Sequence, residues 1–494
     1  MKRRDLLKTY RVLESFNTAL AMEGNGPHPQ GQKEEAGVKK QRLSVSRFLP
    51  RLVFWLLLCA AAYVACFLKH PLLYGWRALE TPALLAIAGL GMWRALEQHK
   101  RAGCRWQKLE PSLRCLACLA VLFLVAGQEG RFRWQQYQVL KGGVAMERMG
   151  RHFVVGFRSF DEVTPLAERG LIGGIYLTRR NLKGETVASL RARIDAIQAR
   201  RHHAGLPPLF VMADQEGGAV SHLSPLLAPM PSLASLARMY SGSPETLESR
   251  ARAHGETQGK SLAQLGVNMN LSPVVDLKHA SSGSWRDRHS RIAERAIAAD
   301  ADTVIRVAAA YSEGLRANGV LPTVKHFPGL GRVRGDTHLV KASLRQDSAQ
   351  RDEDWRPFRS VTARASAAMM LSHVLLPEID PARPASLSRA LVQDILRRKR
   401  GWNFQGILIT DDLNMGAVYV DGIGRAATAA LDAGVDLILV SYDPDQYYRA
   451  LYVAAESWRS GAIGSQREAE SATRLDTFWR QSTTGPNSTD GKPE

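Results

Sequence analysis

The chain has 494 residues, 45% of them hydrophobic and 23% charged, with 66 Lys and Arg against 47 Asp and Glu for a net charge of +19. That length holds two or three ordinary domains, and that balance excludes global disorder and collagen-like sequence. The charge invites a nucleic-acid reading, but residues 1–150 carry 23 basic and 10 acidic side chains, so most of the excess lies in the first third.

Residues 1–50 are polar and basic, and the stretch from 23 to 41 (EGNGPHPQGQKEEAGVKKQ) reads as a flexible tail. Leu52–Leu68 follows, seventeen residues without a charge, at the lower limit for a membrane span and too deep in the chain for a cleaved signal peptide. Pro82–Trp93 is a weaker apolar stretch and Leu116–Gly127 a short, strong one. Buried soluble helices are the alternative reading of each. Basic residues set the orientation. Lys39, Lys40, Arg47 and Arg51 precede the first stretch, and Arg94, Lys100, Arg101, Arg105, Lys108 and Arg114 lie between the second and third. Three spans with the N-terminus inside place both basic segments in the cytoplasm, so everything after residue 130 is periplasmic in a double-membraned bacterium. If the second stretch does not span, that part stays cytoplasmic. Basic residues beside a membrane meet anionic headgroups and explain the charge without nucleic acid. All five cysteines (Cys59, Cys66, Cys104, Cys115, Cys118) lie in this region. Cys115-x-x-Cys118 sits in an apolar run with no second pair nearby, which disfavours a redox or metal role.

From residue 150 short apolar runs alternate with amphipathic segments. The runs are Phe153–Phe157, Gly173–Thr178, Pro208–Asp214, Asn268–Asp276, Thr323–Phe327, Ala367–His373, Gly406–Thr410 and Asp436–Ser441. Rich in Val, Ile and Leu and without period-two alternation, they fit strands buried on both faces of a parallel sheet. Between them Val187, Leu190, Ile194 and Ile197 keep helical spacing, as do Leu387, Leu391 and Ile395 ahead of a stop at Arg397–Gly401. Eight β-then-α units predict a (β/α)8 TIM-type barrel preceded by an N-terminal helical transmembrane region, with a doubly wound sheet as the alternative. The expected organisation is a cytoplasmic tail (1–50), a transmembrane region (51–130), a catalytic barrel (150–445), and a C-terminal helix with a polar tail (446–494).

In such a barrel chemistry gathers at the C-terminal strand ends. There the chain places Asp214-Gln215-Glu216, Lys325-His326, the loop to Asp336-Thr337-His338, Ser372-His373 and Asp411-Asp412. Each alone reads as a solvated loop charge or a cap; four strand ends together do not. His326, His338 and His373 with Asp411 could hold a divalent ion, but no familiar ligand spacing accompanies them. Lys325 suits a Schiff base or a ligand hydrogen bond equally.

Six segments carry a family resemblance: ADQEGG (213–218), MPSLASLA (230–237), GVNMNLSPVVDL (266–277), KHFPG (325–329), DTH (336–338) and GILITDDLNMGA (406–417). In order and spacing, residues 150–445 resemble glycoside hydrolase family 3, of the single-domain bacterial β-N-acetylhexosaminidase type. The resemblance implies a retaining exo-β-N-acetylglucosaminidase acting on peptidoglycan fragments, without metal or organic cofactor. It implies Asp411 as nucleophile, with Asp412 holding the loop or exchanging roles with it. It implies His338 as general acid/base oriented by Asp336, and Asp214, Arg295, Lys325 and His326 as sugar-binding residues. The chain departs from the family at Leu330, where a histidine is usual, at Ala219, where an arginine is usual, and over Lys278–Arg291. The expected partners are a carbohydrate and membrane lipid, not nucleic acid. Rival readings are a phosphorylase of the same glycosides, another β-glycosidase, and a non-catalytic membrane sugar sensor.

Overall fold

The computed structural model describes residues 31–279, 290–333, 335–338 and 340–483. Most of the divergent Lys278–Arg291 segment, the tail before Gly31 and the end of the polar C-terminus lie outside them. The chain divides into two compact units, residues 1–68 with 78–128, and residues 69–77 with 129–494.

The first unit is helical. Helix α1 spans Gly31–Cys66, so the tail expected to be flexible is helical from Gly31. Helix α2 spans Arg77–Arg101, and α3 spans Arg105–Lys141, ending within the second unit. The helices pack through small residues. Ala61, Ala65, Ala88 and Cys118 are buried with Leu58, Leu84, Val121 and Val125. Gly91 approaches Cys118 and Phe54 so closely that a Cβ there would stand 3.0 Å from Sγ. Large apolar side chains point outward instead, among them Leu56, Leu57, Leu90, Leu116 and Phe123. Two helices, α1 over Leu49–Cys66 and α3, are long and apolar enough to cross a membrane. The second expected span, Pro82–Trp93, lies in α2, which does not reach that standard because charges flank a short apolar centre.

The second unit is built on eight parallel strands: β1 (Phe153–Gly156), β2 (Gly174–Leu177), β3 (Phe210–Ala213), β4 (Met269–Asn270), β5 (Leu321–Phe327), β6 (Ala368–Leu371), β7 (Leu408–Thr410) and β8 (Ile438–Val440). Their order is β7-β6-β5-β4-β3-β2-β1-β8. A parallel bridge between Ile409 and Leu437 joins the two ends, so the sheet is a nearly closed barrel, not a doubly wound sheet. Every expected apolar run contains or overlaps one of these strands, β5 starting two residues ahead of its run. Each is buried on both faces, which is why period-two alternation is missing: one side packs inside the barrel and the other under the helices. The interior holds Val154, Phe210, Met212, Met269, Leu271, Met370, Ile409 and Leu439. At Gly156 a Cβ would stand 2.0 Å from the Ser441 carbonyl oxygen, so only glycine lets β1 meet the end of β8.

The helices cover the outside. In helix Val187–His203, Leu190, Ile194 and Ile197 are buried as their spacing requires. The Leu387, Leu391, Ile395 pattern resolves differently. A π-helical turn, Ala390–Arg397, buries Leu391, Val392 and Leu396 and leaves Ile395 partly exposed, because its wider turn shifts the inward face. Beyond β8 the described residues form two helices where a single one is expected, and most of the polar tail lies outside them. Asp445–Arg459 is the last of the β/α series. Ser465–Thr483 closes the barrel floor, burying Leu475 among the interior residues and setting Phe478 and Trp479 against Phe210 at 5.4 and 4.5 Å between ring centres.

Candidate active site

The C-terminal strand ends surround a cavity of about 680 Å3. Its lining includes Asp411 and Asp412 after β7, His338 from the loop after β5, Lys325 and His326 on β5, Asp214 after β3, and Arg295. Six of the seven residues singled out from sequence thus line one cavity. The seventh, Asp336, is buried directly behind it.

Asp411 and Asp412 are adjacent but differently employed. Among the described residues, Asp411 accepts one hydrogen bond, from the Asp412 N–H at 2.8 Å. Asp412 is saturated. Its Oδ1 accepts from Asn414 N and Nδ2 at 3.0 and 2.8 Å and from Ser441 N at 3.2 Å; its Oδ2 accepts from Ser441 Oγ at 2.6 Å and Tyr442 N at 2.9 Å. Burial pushes the Asp411 carboxyl up, but His326, His373 and His338 outweigh it and hold the group below its ordinary value. A partly buried carboxylate kept ionised and little bonded is a ready nucleophile; one with five donors is a brace.

His338 and Asp336 form a dyad. Asp336 Oδ1 accepts from the His338 backbone N–H at 3.0 Å and faces His338 Nδ1 at 2.9 Å. The His338 side chain is 40% exposed while Asp336 is 4% exposed, so the dyad presents Nε2 to the cavity and water. The loop is anchored from its own carbonyls, with Gly416 N–H donating to His338 O at 2.8 Å.

The third group is a chain of buried and partly buried charges. Lys325 pairs with Asp214 and, at 2.7 Å, with Glu216. Glu216 takes both prongs of the Arg295 guanidinium at 2.6 and 3.0 Å. Arg295 Nη2 lies 3.3 Å from His326 Nε2, and His326 Nδ1 lies 2.7 Å from Asp276. The Tyr176 hydroxyl donates to Asp214 at 2.6 Å. Burial raises the Asp214 carboxyl, yet Lys325 and His222 hold it well below the carboxylate range. Burial and the neighbouring Asp214 push the Tyr176 phenol far up, so it remains a donor. The register of β5 shifts between Val324 and Phe327, which lets the consecutive Lys325 and His326 both reach the cavity. Gly217, at φ +88°, turns the chain just after Glu216, where a Cβ would stand 2.4 Å from the Pro231 carbonyl oxygen.

Three members of this network carry no role assigned from sequence. Glu216 stood within a quoted motif, while Asp276 and Tyr176 sat in apolar runs that read as core. The signal available for Asp276 was its place as the last residue of its run, at a strand end. The departure at Leu330 leaves an apolar side chain on the cavity wall, with its backbone N–H donating to Asp276 at 2.7 Å.

The histidines are engaged in ways that disfavour joint metal ligation. His373 Nδ1 meets Ser386 Oγ at 2.7 Å and its Nε2 the Asp412 carbonyl at 3.0 Å, and the inward nitrogens of His326 and His338 face carboxylates. Among the described residues no group of three potential ligands converges as a metal site would require.

Residues 145–477 match the family described as Glycosyl hydrolase family 3 N terminal domain. A beta-hexosaminidase of Neisseria gonorrhoeae is 33% identical over 299 residues, 59% of this chain and 77% of that protein. One from Thiobacillus denitrificans is 34% identical, over 56% of this chain and 73% of its own length. Among solved structures, a glycoside hydrolase family 3 beta-N-acetylglucosaminidase from Paenibacillus superposes with a TM-score of 0.62 at 28% identity, covering 72% of this chain and 65% of that one. A beta-N-acetylhexosaminidase from Beutenbergia cavernae gives 0.60 at 29% identity, covering 68% and 99%. The match spans the barrel and each cavity residue named above, and the chain therefore belongs to glycosyl hydrolase family 3 and is a glycoside hydrolase.

Proposed function

We propose that this hydrolase is a retaining exo-β-N-acetylglucosaminidase, with Asp411 as nucleophile and His338 as general acid/base oriented by Asp336. The reading is carried by one juxtaposition: a little-bonded carboxylate, Asp411, shares a cavity with an imidazole braced by a buried carboxylate. The sugar specificity is supported by relatives whose names specify hexosaminidases and N-acetylglucosaminidases.

In the first step an Asp411 oxygen forms a bond to the anomeric carbon while the bond to the leaving oxygen breaks. The leaving oxygen takes the proton from His338 Nε2. The Asp336 carboxylate opposite Nδ1 fixes the tautomer and stabilises the imidazolium. In the second step neutral Nε2 takes a proton from water, whose oxygen displaces the Asp411 carboxylate. Two inversions return the β-anomer. Asp214, Lys325, His326 and Arg295 hold the terminal sugar, and Lys325 is positioned there by both Asp214 and Glu216. The test is proton NMR of the first product formed from an aryl N-acetyl-β-glucosaminide. Initial release of the β-anomer is expected, and initial α-anomer would sink the double displacement.

Transfer to phosphate is a second reading, supported by the cavity's own chemistry. The acid/base is an imidazole without negative charge, and Arg179 and Arg180 stand on the wall. Product analysis with and without phosphate separates the two.

We also propose a multi-pass protein of the cytoplasmic membrane whose barrel is periplasmic and acts on peptidoglycan fragments. Outward-facing leucines and Phe123 on α1–α3 support lipid contact. Parity supports three spans. Residues 69–77 belong to the same unit as the barrel, so both lie on one side of the membrane. Helix α3 crosses by its apolar length, and α2 must then cross in the opposite sense to keep that parity.

A further inference from the structure

Lys69–Arg77 joins two helices of the first unit in sequence, yet is part of the barrel unit. It forms a 3-10 turn, Pro71–Trp76, capped by His70, whose Nδ1 accepts from Leu72 N–H at 3.2 Å. Loops after three barrel strands hold it. After β8, Asp443 pairs with Arg77, and Gln446 Nε2 donates to the Lys69 carbonyl. After β7, Tyr419 meets the His70 ring edge-on at 4.6 Å. After β2, Arg180 Nη1 donates to the Tyr74 hydroxyl at 2.7 Å. A turn bonded on three sides is a fixed part of the rim.

Its apex faces the reaction cavity. Pro71 and Leu72 line the same space as Asp411 and His338, and Leu72 is 74% exposed. The buried charges around Asp214 and Lys325 occupy the floor, where the terminal sugar sits. The leaving group departs past His338 toward the mouth, where Leu72 and the half-exposed Tyr442 offer apolar surface. Such surface suits the carbon-bound hydrogens on one face of a pyranose ring.

We propose that the 69–77 turn is a wall of the subsite for the leaving sugar, and that Leu72 is a specificity-determining residue for a saccharide leaving group. The inference rests on the hydrolase reading above. It makes a segment between two membrane helices part of the substrate cleft, a construction the barrel alone does not provide.

The test compares N,N′-diacetylchitobiose with N-acetyl-β-glucosaminyl fluoride, whose one-atom leaving group reaches no such wall. Full-length protein in detergent is assayed as wild type, Leu72→Ala and Leu72→Asp. The ratio of kcat/KM for disaccharide over fluoride is expected to fall roughly tenfold in Leu72→Asp and less in Leu72→Ala. An unchanged ratio in both variants overturns the proposal. Binding gives an independent readout that needs no turnover. In Asp411→Asn protein, calorimetry is expected to show the disaccharide bound more tightly than N-acetylglucosamine, and that preference reduced by Leu72→Asp. If wild type hydrolyses neither substrate but this preference and its loss are seen, the hydrolase reading fails and the subsite stands. Equal affinities for the two sugars, or a preference that Leu72→Asp leaves intact, overturn the subsite.

Discussion

The Asp412 carboxylate accepts the Ser441 hydroxyl proton at 2.6 Å, so a side chain just after β7 is tied to one just after β8. These are the two end strands of the sheet, which the Ile409–Leu437 bridge and backbone hydrogen bonds such as Thr410 N–H to the Leu437 carbonyl also join. The tie places Asp411, one residue earlier, at the rim of a closed barrel. The adjacent carboxylates therefore divide the work, and their substitutions should separate.

Asp411→Asn is expected to lower kcat on an aryl N-acetyl-β-glucosaminide by at least about 10^3, with thermal stability near that of wild type. Asp412→Asn is expected to lose about 1–3 kcal/mol of stability from its broken hydrogen bonds and to retain measurable turnover. Steady-state kinetics and urea midpoints on both variants check this; the reverse pattern would exchange the roles.

For the dyad, His338→Ala should lower kcat/KM, which reports the glycosylation step, far more for a poor leaving group such as a sugar than for dinitrophenolate, which departs without a proton. Asp336→Asn should lower kcat by roughly 10^2–10^4 with little change in KM, through the wrong imidazole tautomer. Similar losses for both leaving groups in His338→Ala would argue against acid catalysis.

Acid sensitivity follows from Asp436, buried at the start of β8. Burial pushes its carboxyl up, but Arg397 at 2.6 Å and Arg474 at 2.8 Å, with the Leu408 N–H and Ser471 hydroxyl, hold it below the ordinary range. Because the folded value lies below the unfolded one, this group contributes stability fully present above about pH 4, lost as the pH falls through the folded value. Asp436→Asn is expected to cost about 3–5 kcal/mol at pH 7, since it strands two buried guanidinium groups. The penalty should shrink on acidification toward pH 3. Urea midpoints at the two pH values measure it, and a penalty that grows toward acid would contradict the assignment.

Leu475 is 3% exposed against the barrel interior. Leu475→Ala should cost about 2–5 kcal/mol, and ending the chain after Gly464 should abolish cooperative thermal unfolding. Calorimetry of both decides whether this helix is a structural floor or a dispensable appendage.

For orientation, a phosphatase fused after Gly143 should be active, and one fused after Gly103, between α2 and α3, silent. Activity from the second fusion, or silence from the first, would remove the three-span arrangement.

The eight strands were legible from Phe153 to Ser441 because strands buried on both faces must be written in short runs of Val, Ile, Leu and Met, and those runs recur there between amphipathic segments. The charged site residues were legible as strand-end breaks in those runs. Tyr176 was not, because an aromatic residue in an apolar run is ordinarily core, and only the neighbouring strand brings Asp214 to its hydroxyl. Asp276 was hidden similarly: its partners His326 and Leu330 lie about fifty residues away in sequence. The π-helical turn at Ala390–Arg397 was read as an ordinary helix, since a leucine spacing of four is compatible with either geometry.

By itself, the amino-acid sequence determined the periodicity of the elements, the apolar stretches near the N-terminus and the identity of the groups that can exchange protons. Those are local properties, set by side-chain type and spacing. Only the tertiary structure decided that, among the described residues, the Asp411 carboxylate accepts a single hydrogen bond while that of Asp412 is saturated, that Ser465–Thr483 is the barrel floor, and that a turn between two apolar helices lines the reaction cavity. Each depends on a contact between residues distant in the chain, and no local pattern encodes which distant partner satisfies a given polar or apolar group.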